Sequence, residues 1–169
     1  MFKNFFVRKG KMSLPSWFFL SVFLLSFLGA INAVYLTVEH FKHVETGAAV
    51  VCHVEIMGDC NQVLYSRYSE IGAVPLALLG VAYYLFVFSV ALILYFNKER
   101  LLFSLLSVVT SFGFLFSLLL VYLQIWVLRA VCPYCMFSAL VSVLLFGIDI
   151  IFLVKKESIT GRITEVFHP

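Results

Sequence analysis

Four long apolar runs leave this chain few ways to fold. At about 1.5 Å per residue, a helix needs roughly 20 apolar residues to cross a hydrocarbon layer about 30 Å thick. Residues 17–38, 75–96, 101–128 and 133–154 each reach that length. Inside lipid every backbone N–H and C=O has to be paired, so each run is expected to be a helix. The expected fold class is therefore an all-α membrane protein, a four-transmembrane-helix bundle forming one domain over residues 1–169. An extracytoplasmic loop at 39–74, carrying a short capping helix, joins the first two spans. Composition agrees: the chain is 63% hydrophobic and 12% charged, which is outside the range of a soluble domain. The first run has the basic flank of a secretory signal in Lys3, Arg8, Lys9 and Lys11, and small residues at Gly29, Ala30 and Ala33. Its apolar stretch continues through Val34, Tyr35 and Leu36, beyond a typical signal core, so it is read as a retained span.

The net charge of +3 becomes informative once it is divided among the connections. Lys3, Arg8, Lys9, Lys11, Lys98, Arg100, Lys155, Lys156 and Arg162 occupy the two ends and the middle turn. By the positive-inside rule those segments are cytoplasmic, which puts loop 39–74 and the turn at Arg129 on the opposite side. The basic groups are thus topology signals, and no block of positive charge points to nucleic acid. Membrane lipid is the expected surroundings. Tyr35 and His40 suit the water interface at the end of the first span, and Asp149, within two turns of Lys155, reads as an interfacial acid.

Chemistry concentrates in four cysteines. Cys132, Pro133, Tyr134 and Cys135 form a CxxC at the start of the fourth span. Pro133 suits the first helical position, which makes Cys132 the N-cap, and the free N–H groups and positive dipole end favour a thiolate there. Two structural cysteines, or half of a zinc site, are the plainer readings of an isolated CxxC. In the loop, Cys52 and Cys60 flank seven residues that include the turn-forming pair Gly58 and Asp59. On the extracytoplasmic side a disulfide between them is the expected resting state, and a structural staple is the plain reading. Val63, Leu64, the Arg67 stem, Tyr68 and Ile71 share a face of a short helix that can lie over the bundle. Gln124, near the outer end of the third span, suits either a hydrogen bond to a ligand carbonyl or packing against another helix.

All four cysteines fall on the same side, and a relay uses them more fully than two staples do. Zinc held by the cysteines with His53 is conceivable, but the CxxC opens a hydrophobic span rather than a compact knuckle, so no metal is expected. One pair on a polar loop can meet a water-soluble thiol protein. The other, at the boundary of loop and bundle, can meet an apolar two-electron carrier in the bilayer. Exchange between pairs proceeds by thiolate attack through a mixed disulfide. A quinone is the natural acceptor at that depth, with aromatic helix ends to hold its ring.

The ordered set of Cys52, Cys60, the run from Cys60 to Ser69, Gly72 to Pro75, Gly80 and Cys132 to Cys135 resembles the vitamin K epoxide reductase family of membrane disulfide-forming proteins. The resemblance extends from the first span to the fourth. It implies a four-helix bundle around a quinone, capped by a cysteine-bearing loop helix. It also implies that Cys132 and Cys135 stand next to the quinone, that Cys60 exchanges with Cys132, and that Cys52 meets the outside partner. Cys135 is then the contact to the quinone ring, and Ser66 shapes the pocket, orients the loop or simply caps the helix. Animal members place an Asn and a Tyr against the vitamin K carbonyls, and those places hold Leu76 and Ala139 here. The resemblance therefore favours disulfide formation over reduction of vitamin K epoxide, with ubiquinone, menaquinone or vitamin K as acceptor. Many bacterial members carry a fused thioredoxin-like domain. The tail after Lys155 is too short for one, so a separate thioredoxin-fold protein of the periplasm or lumen is the expected partner. The ending from Ile163 to Pro169 has no reticulum retention signal, and a bacterial inner membrane is the expected location. The other bacterial four-helix disulfide oxidase carries its CxxC in the first outer loop, the reverse of the order here. A membrane scaffold with two structural disulfides is the remaining non-enzymatic reading.

Overall fold

The fold was obtained as a computed structural model, which describes residues 14–47, 60–66, 68–72 and 74–167. Among the described residues, four helices are long and apolar enough to cross a membrane, spanning Ser16–Glu45, Leu76–Asn97, Arg100–Leu128 and Pro133–Val154. The first helix, α1, runs Ser16–Thr46 and is closed by Gly47, whose φ of +68° lets its N–H reach the His43 carbonyl. It extends about two turns beyond the 17–38 expected from hydropathy, because its outer end has a packing partner in the cap.

That cap begins with α2, Cys60–Leu64. The sequence pattern anticipated one amphipathic face from Val63 to Ile71, yet the helix stops at Leu64. Ser66 and Ser69 form a turn, and Glu70–Ile71 (β1) pairs antiparallel with Val74–Pro75 (β2). Gly72, at φ +68°, makes the tight connection that this two-residue ladder needs. The ladder is a small addition to an otherwise helical fold, and it delivers the chain into the bundle through the Leu76 N–H, which donates to the Ser69 carbonyl at 2.8 Å.

Helix α3, Leu76–Asn97, ends at Lys98 in the left-handed conformation, and α4, Arg100–Tyr122, returns antiparallel. The last turn of that span, Leu123–Leu128, widens to π-helical geometry and is closed by Arg129 at φ +52°. Helix α5 then runs Pro133–Phe167. Phe18, Phe103, Leu94 and Leu145 fill the inner half of the bundle, and the Phe18 ring meets Phe152 edge-on at 4.9 Å. Outward faces carry Leu20, Phe27, Phe112, Leu115 and Trp126, each more than half exposed. An apolar surface of that extent belongs in lipid.

Two glycines allow the helices to close on adjacent tyrosines of α3. A Cβ on Gly29 of α1 would run into the Tyr84 ring, and one on Gly113 of α4 would run into the Tyr83 ring and hydroxyl. Gly29→Ala is therefore expected to destabilise the fold by about 1–3 kcal/mol, the usual range for overpacking a tight interior. Thermal unfolding in detergent should show a lowered midpoint, and pairing it with Tyr84→Ala should recover part of the loss.

Candidate functional site

The CxxC is held from three sides. Pro133 takes the first helical position of α5, and the Met136 N–H donates to the Cys132 carbonyl at 3.0 Å, so the helix starts on Cys132. Because the π turn draws both the Arg129 and the Ala130 N–H onto the Gln124 carbonyl, the chain doubles back over its own side chain. Gln124 Oε1 then accepts the Cys132 N–H at 3.0 Å, with both groups buried. From α1, Asn32 Nδ2 donates to the Tyr134 carbonyl at 3.0 Å, and the Tyr35 and Tyr134 rings meet at 5.0 Å.

Cys132 and Cys135 stand as free thiols near enough for one to hydrogen-bond the other. Cys132 is fully buried, in a cluster with Val63 of α2 and Ala130. Cys135 lines a cavity of about 460 Å³ between the four long helices, beneath the cap. The Cys135 thiol donates a hydrogen bond to the Cys132 sulfur, and the N–H groups of Cys135 and Tyr134 add to it. Against the opposing effect of burial, these bring Cys132, just ahead of the fourth span, down to about 7. The pair thus has one sulfur of lowered pKa packed under the cap and a second that lines the cavity.

The cavity is overwhelmingly apolar, and its size matches that of small-molecule sites. Ala33, Leu36 and Gly80 form one wall, and Phe116, Leu120 and Leu128 another. Leu76 and Ala139 both line it, so those two places bring no hydrogen-bonding side chain to a ligand. Ser66 also lines the cavity; its Oγ donates to the Val63 carbonyl at 3.0 Å and its carbonyl accepts from Ser69, so it closes the end of α2. Pocket wall and helix cap, posed as alternatives for this serine, coincide. Gln124 likewise reaches the cavity, but its oxygen holds the Cys132 backbone, a partner that neither of its two sequence readings included.

Of the loop pair, Cys60 opens α2, three residues before Val63, and the structure describes only its backbone. Cys52 lies outside the described residues, as does His53. Among the described residues no group of three or more His, Cys, Asp or Glu is arranged to hold a metal.

Several site residues carried signals that hydropathy alone passes over. His40, expected at the water interface, is only 3% exposed. Its Nδ1 reaches the Leu64 carbonyl oxygen (3.3 Å) and its Nε2 the Glu70 carboxylate (2.9 Å), fastening both ends of the cap turn to α1. Next to it the His43 and Tyr65 rings stack at 3.5 Å. Asp149 is also not a solvated interfacial acid: it is 1% exposed and accepts the Thr110 hydroxyl at 2.7 Å inside the bundle. Asn32 and Asp149 are polar groups inside apolar runs, which lipid tolerates only when a partner is available.

A CxxC over an apolar cavity, roofed by a helix that starts with cysteine, narrows the choice among four-helix membrane bundles. The family model described as the vitamin K epoxide reductase family matches residues 20–150. The chain belongs to that family. The matched region takes in the second and third spans whole, most of the first and fourth, the CxxC and the cap. Comparison with curated proteins gives no match. Membership of the vitamin K epoxide reductase family makes the chain a multi-pass membrane oxidoreductase, from a family that acts on quinones.

Two expectations follow. In a variant lacking Cys52 and Cys60, ultraviolet thiolate absorbance should rise as pH increases through about 7, since the lowered thiol loses its proton there. Cys135→Ala and Gln124→Leu should both move that midpoint upward, the first by removing the donor and the second by releasing the Cys132 backbone. For the cap, His40→Phe keeps an aromatic ring but removes both polar contacts. Hydrogen exchange at the amides of α2 should then accelerate by about tenfold or more, given about 0.5–1.5 kcal/mol for each hydrogen bond lost.

Proposed function

We propose that the protein oxidises a thioredoxin-fold partner through Cys52 and Cys60 and passes the electrons through Cys132 and Cys135 to a quinone, sustaining disulfide formation outside the cytoplasm. The observation that carries this reading is Cys135 lining an apolar cavity between the helices, while its CxxC partner Cys132 packs against α2, the helix opened by Cys60. The quinone is the electron-accepting substrate.

The partner's dithiol first reduces the Cys52–Cys60 disulfide and leaves as a disulfide itself. Cys60 thiolate attacks the Cys132 sulfur of the oxidised CxxC, forming a Cys60–Cys132 mixed disulfide and releasing Cys135 as a thiolate. Cys52 thiolate then attacks Cys60, which restores the loop disulfide and frees Cys132. The lowered pKa of Cys132 suits a good leaving group in that step. Finally the Cys132 and Cys135 sulfurs give two electrons to the quinone and close their disulfide, while two protons complete the hydroquinone. Apolar walls hold the ring, and cytoplasmic termini, the orientation favoured by charge, put the cysteines on the side where disulfides persist.

Leu76 and Ala139 favour this reaction over reduction of vitamin K epoxide, because the cavity lacks polar side chains at those two places. Ubiquinone, menaquinone and vitamin K remain the acceptor classes. With a small dithiol as donor, purified protein should reduce a soluble quinone under anaerobic conditions. Cys132→Ser and Cys135→Ala should each lower that rate to background, whereas Cys52→Ser should impair oxidation of a thioredoxin-fold partner more than oxidation of the dithiol. Undiminished quinone reduction by Cys135→Ala would falsify the assignment.

A further inference from the structure

Below Cys135 a series of hydroxyl groups continues into the bundle. The Tyr84 hydroxyl lies 2.8 Å from Ser138 Oγ and 3.4 Å from Ser142 Oγ. Ser142 also stands beside the Tyr83 hydroxyl, and Asp149 is close enough to act on that hydroxyl electrostatically. Asp149 Oδ2 accepts the Thr110 hydroxyl at 2.7 Å. Ser138, Ser142, Tyr83 and Tyr84 all line the cavity shared with Cys135.

Two atoms of this series are enclosed yet have no hydrogen-bond partner among the described residues: the Tyr83 hydroxyl oxygen and Asp149 Oδ1. Leaving such groups unpaired is destabilising, so a fold that merely needed packing would do better with Phe and Leu. Among the described residues Asp149 forms no ion pair. It lies five residues before Val154, where the span ends, so only about 7–8 Å of helix separates it from the membrane face opposite the CxxC.

We propose that Asp149, Tyr83, Ser142, Tyr84 and Ser138 form a proton path that delivers protons to the quinone site from the membrane face opposite the cysteines. The inference rests on the quinone-reducing function proposed above. Each turnover takes two electrons from two sulfurs and needs two protons on the quinone oxygens. A sulfur that reacts as a thiolate has already released its proton to water on the cap side, so that proton has to be replaced. Asp149 gives its proton toward the cavity through the hydroxyls and regains one from water at the near face. Water reaching the two unpaired atoms, the Tyr83 hydroxyl and Asp149 Oδ1, would complete the series. Asp149 acts through its neighbours and is a relay residue rather than one that touches the quinone.

Asp149→Asn keeps size and an acceptor for Thr110 but cannot cycle a proton, and Tyr83→Phe removes one hydroxyl while leaving the ring on Gly113. Reduction of the oxidised protein by a dithiol should proceed at the wild-type rate in both variants. Hydroquinone formation should slow by about 100-fold, the lower range for loss of a positioned proton-transfer group. Asp149→Glu should restore much of that rate. The redox-induced infrared difference spectrum should contain a carboxyl band that disappears in Asp149→Asn and shifts in Asp149→Glu. Wild-type hydroquinone formation with either variant, or equal slowing of both half-reactions, would overturn the proton path. A wild-type protein that reduces no quinone would instead remove the function on which the path rests.

Discussion

One hydrogen bond, from the Cys132 N–H to Gln124 Oε1, links the membrane bundle to its redox chemistry. It depends on a turn that an ordinary α-helix does not provide. The widening at Leu123–Leu128 and the left-handed Arg129 bring the chain back onto Gln124, and α5 can then start at Cys132 with Pro133 in its first turn. The direction of each sulfur follows from that start. One turn of helix separates Cys132, under the cap, from Cys135, at the cavity. Local widening of this kind costs regular hydrogen bonding and often accompanies a functional site.

The cavity and the cap depend on each other. Four helices packed around Tyr83 and Tyr84 leave an apolar space that would be open at its outer end, and α2 with its following turn covers that end through Val63, Leu64 and Ser66. His40 and Asn32 on the extended outer half of α1 hold the cap turn and the CxxC turn respectively. Water exclusion strengthens the hydrogen bonds within this region and lets a ring reach a sulfur without competing solvent. In the proposed relay this cover would also keep a protein partner from that sulfur, and the loop pair would meet the partner in its place.

The bundle itself was legible in the residues, because lipid imposes length and apolarity on every span. Cys135 at an apolar cavity is likewise where a CxxC at the mouth of a span leads. Other features depend on three-dimensional closeness that periodicity does not encode. Nothing in the pattern around Val63 distinguishes a helix ending at Leu64 from one continuing to Ile71, since the ladder that ends it is set by Gly72 and by pairing with Val74 and Pro75. Asp149 reads as interfacial from its distance to Lys155, while Thr110, its partner, is on another helix. Gln124 was recognisable as a polar residue in need of a partner, but the π turn that supplies the Cys132 N–H has no marker in composition.

The central claim, that the space beside Cys135 receives a quinone, is tested most directly by photolabelling. A quinone analogue with a photoreactive ring would be irradiated with the reduced protein in lipid, and the modified residues mapped by mass spectrometry. The account places the label on cavity walls near Cys135, such as Leu120, Ser138 and Ala139, and requires excess unlabelled quinone to remove it. Label confined to lipid-facing residues such as Leu20 and Leu115, unaffected by competitor, would contradict it.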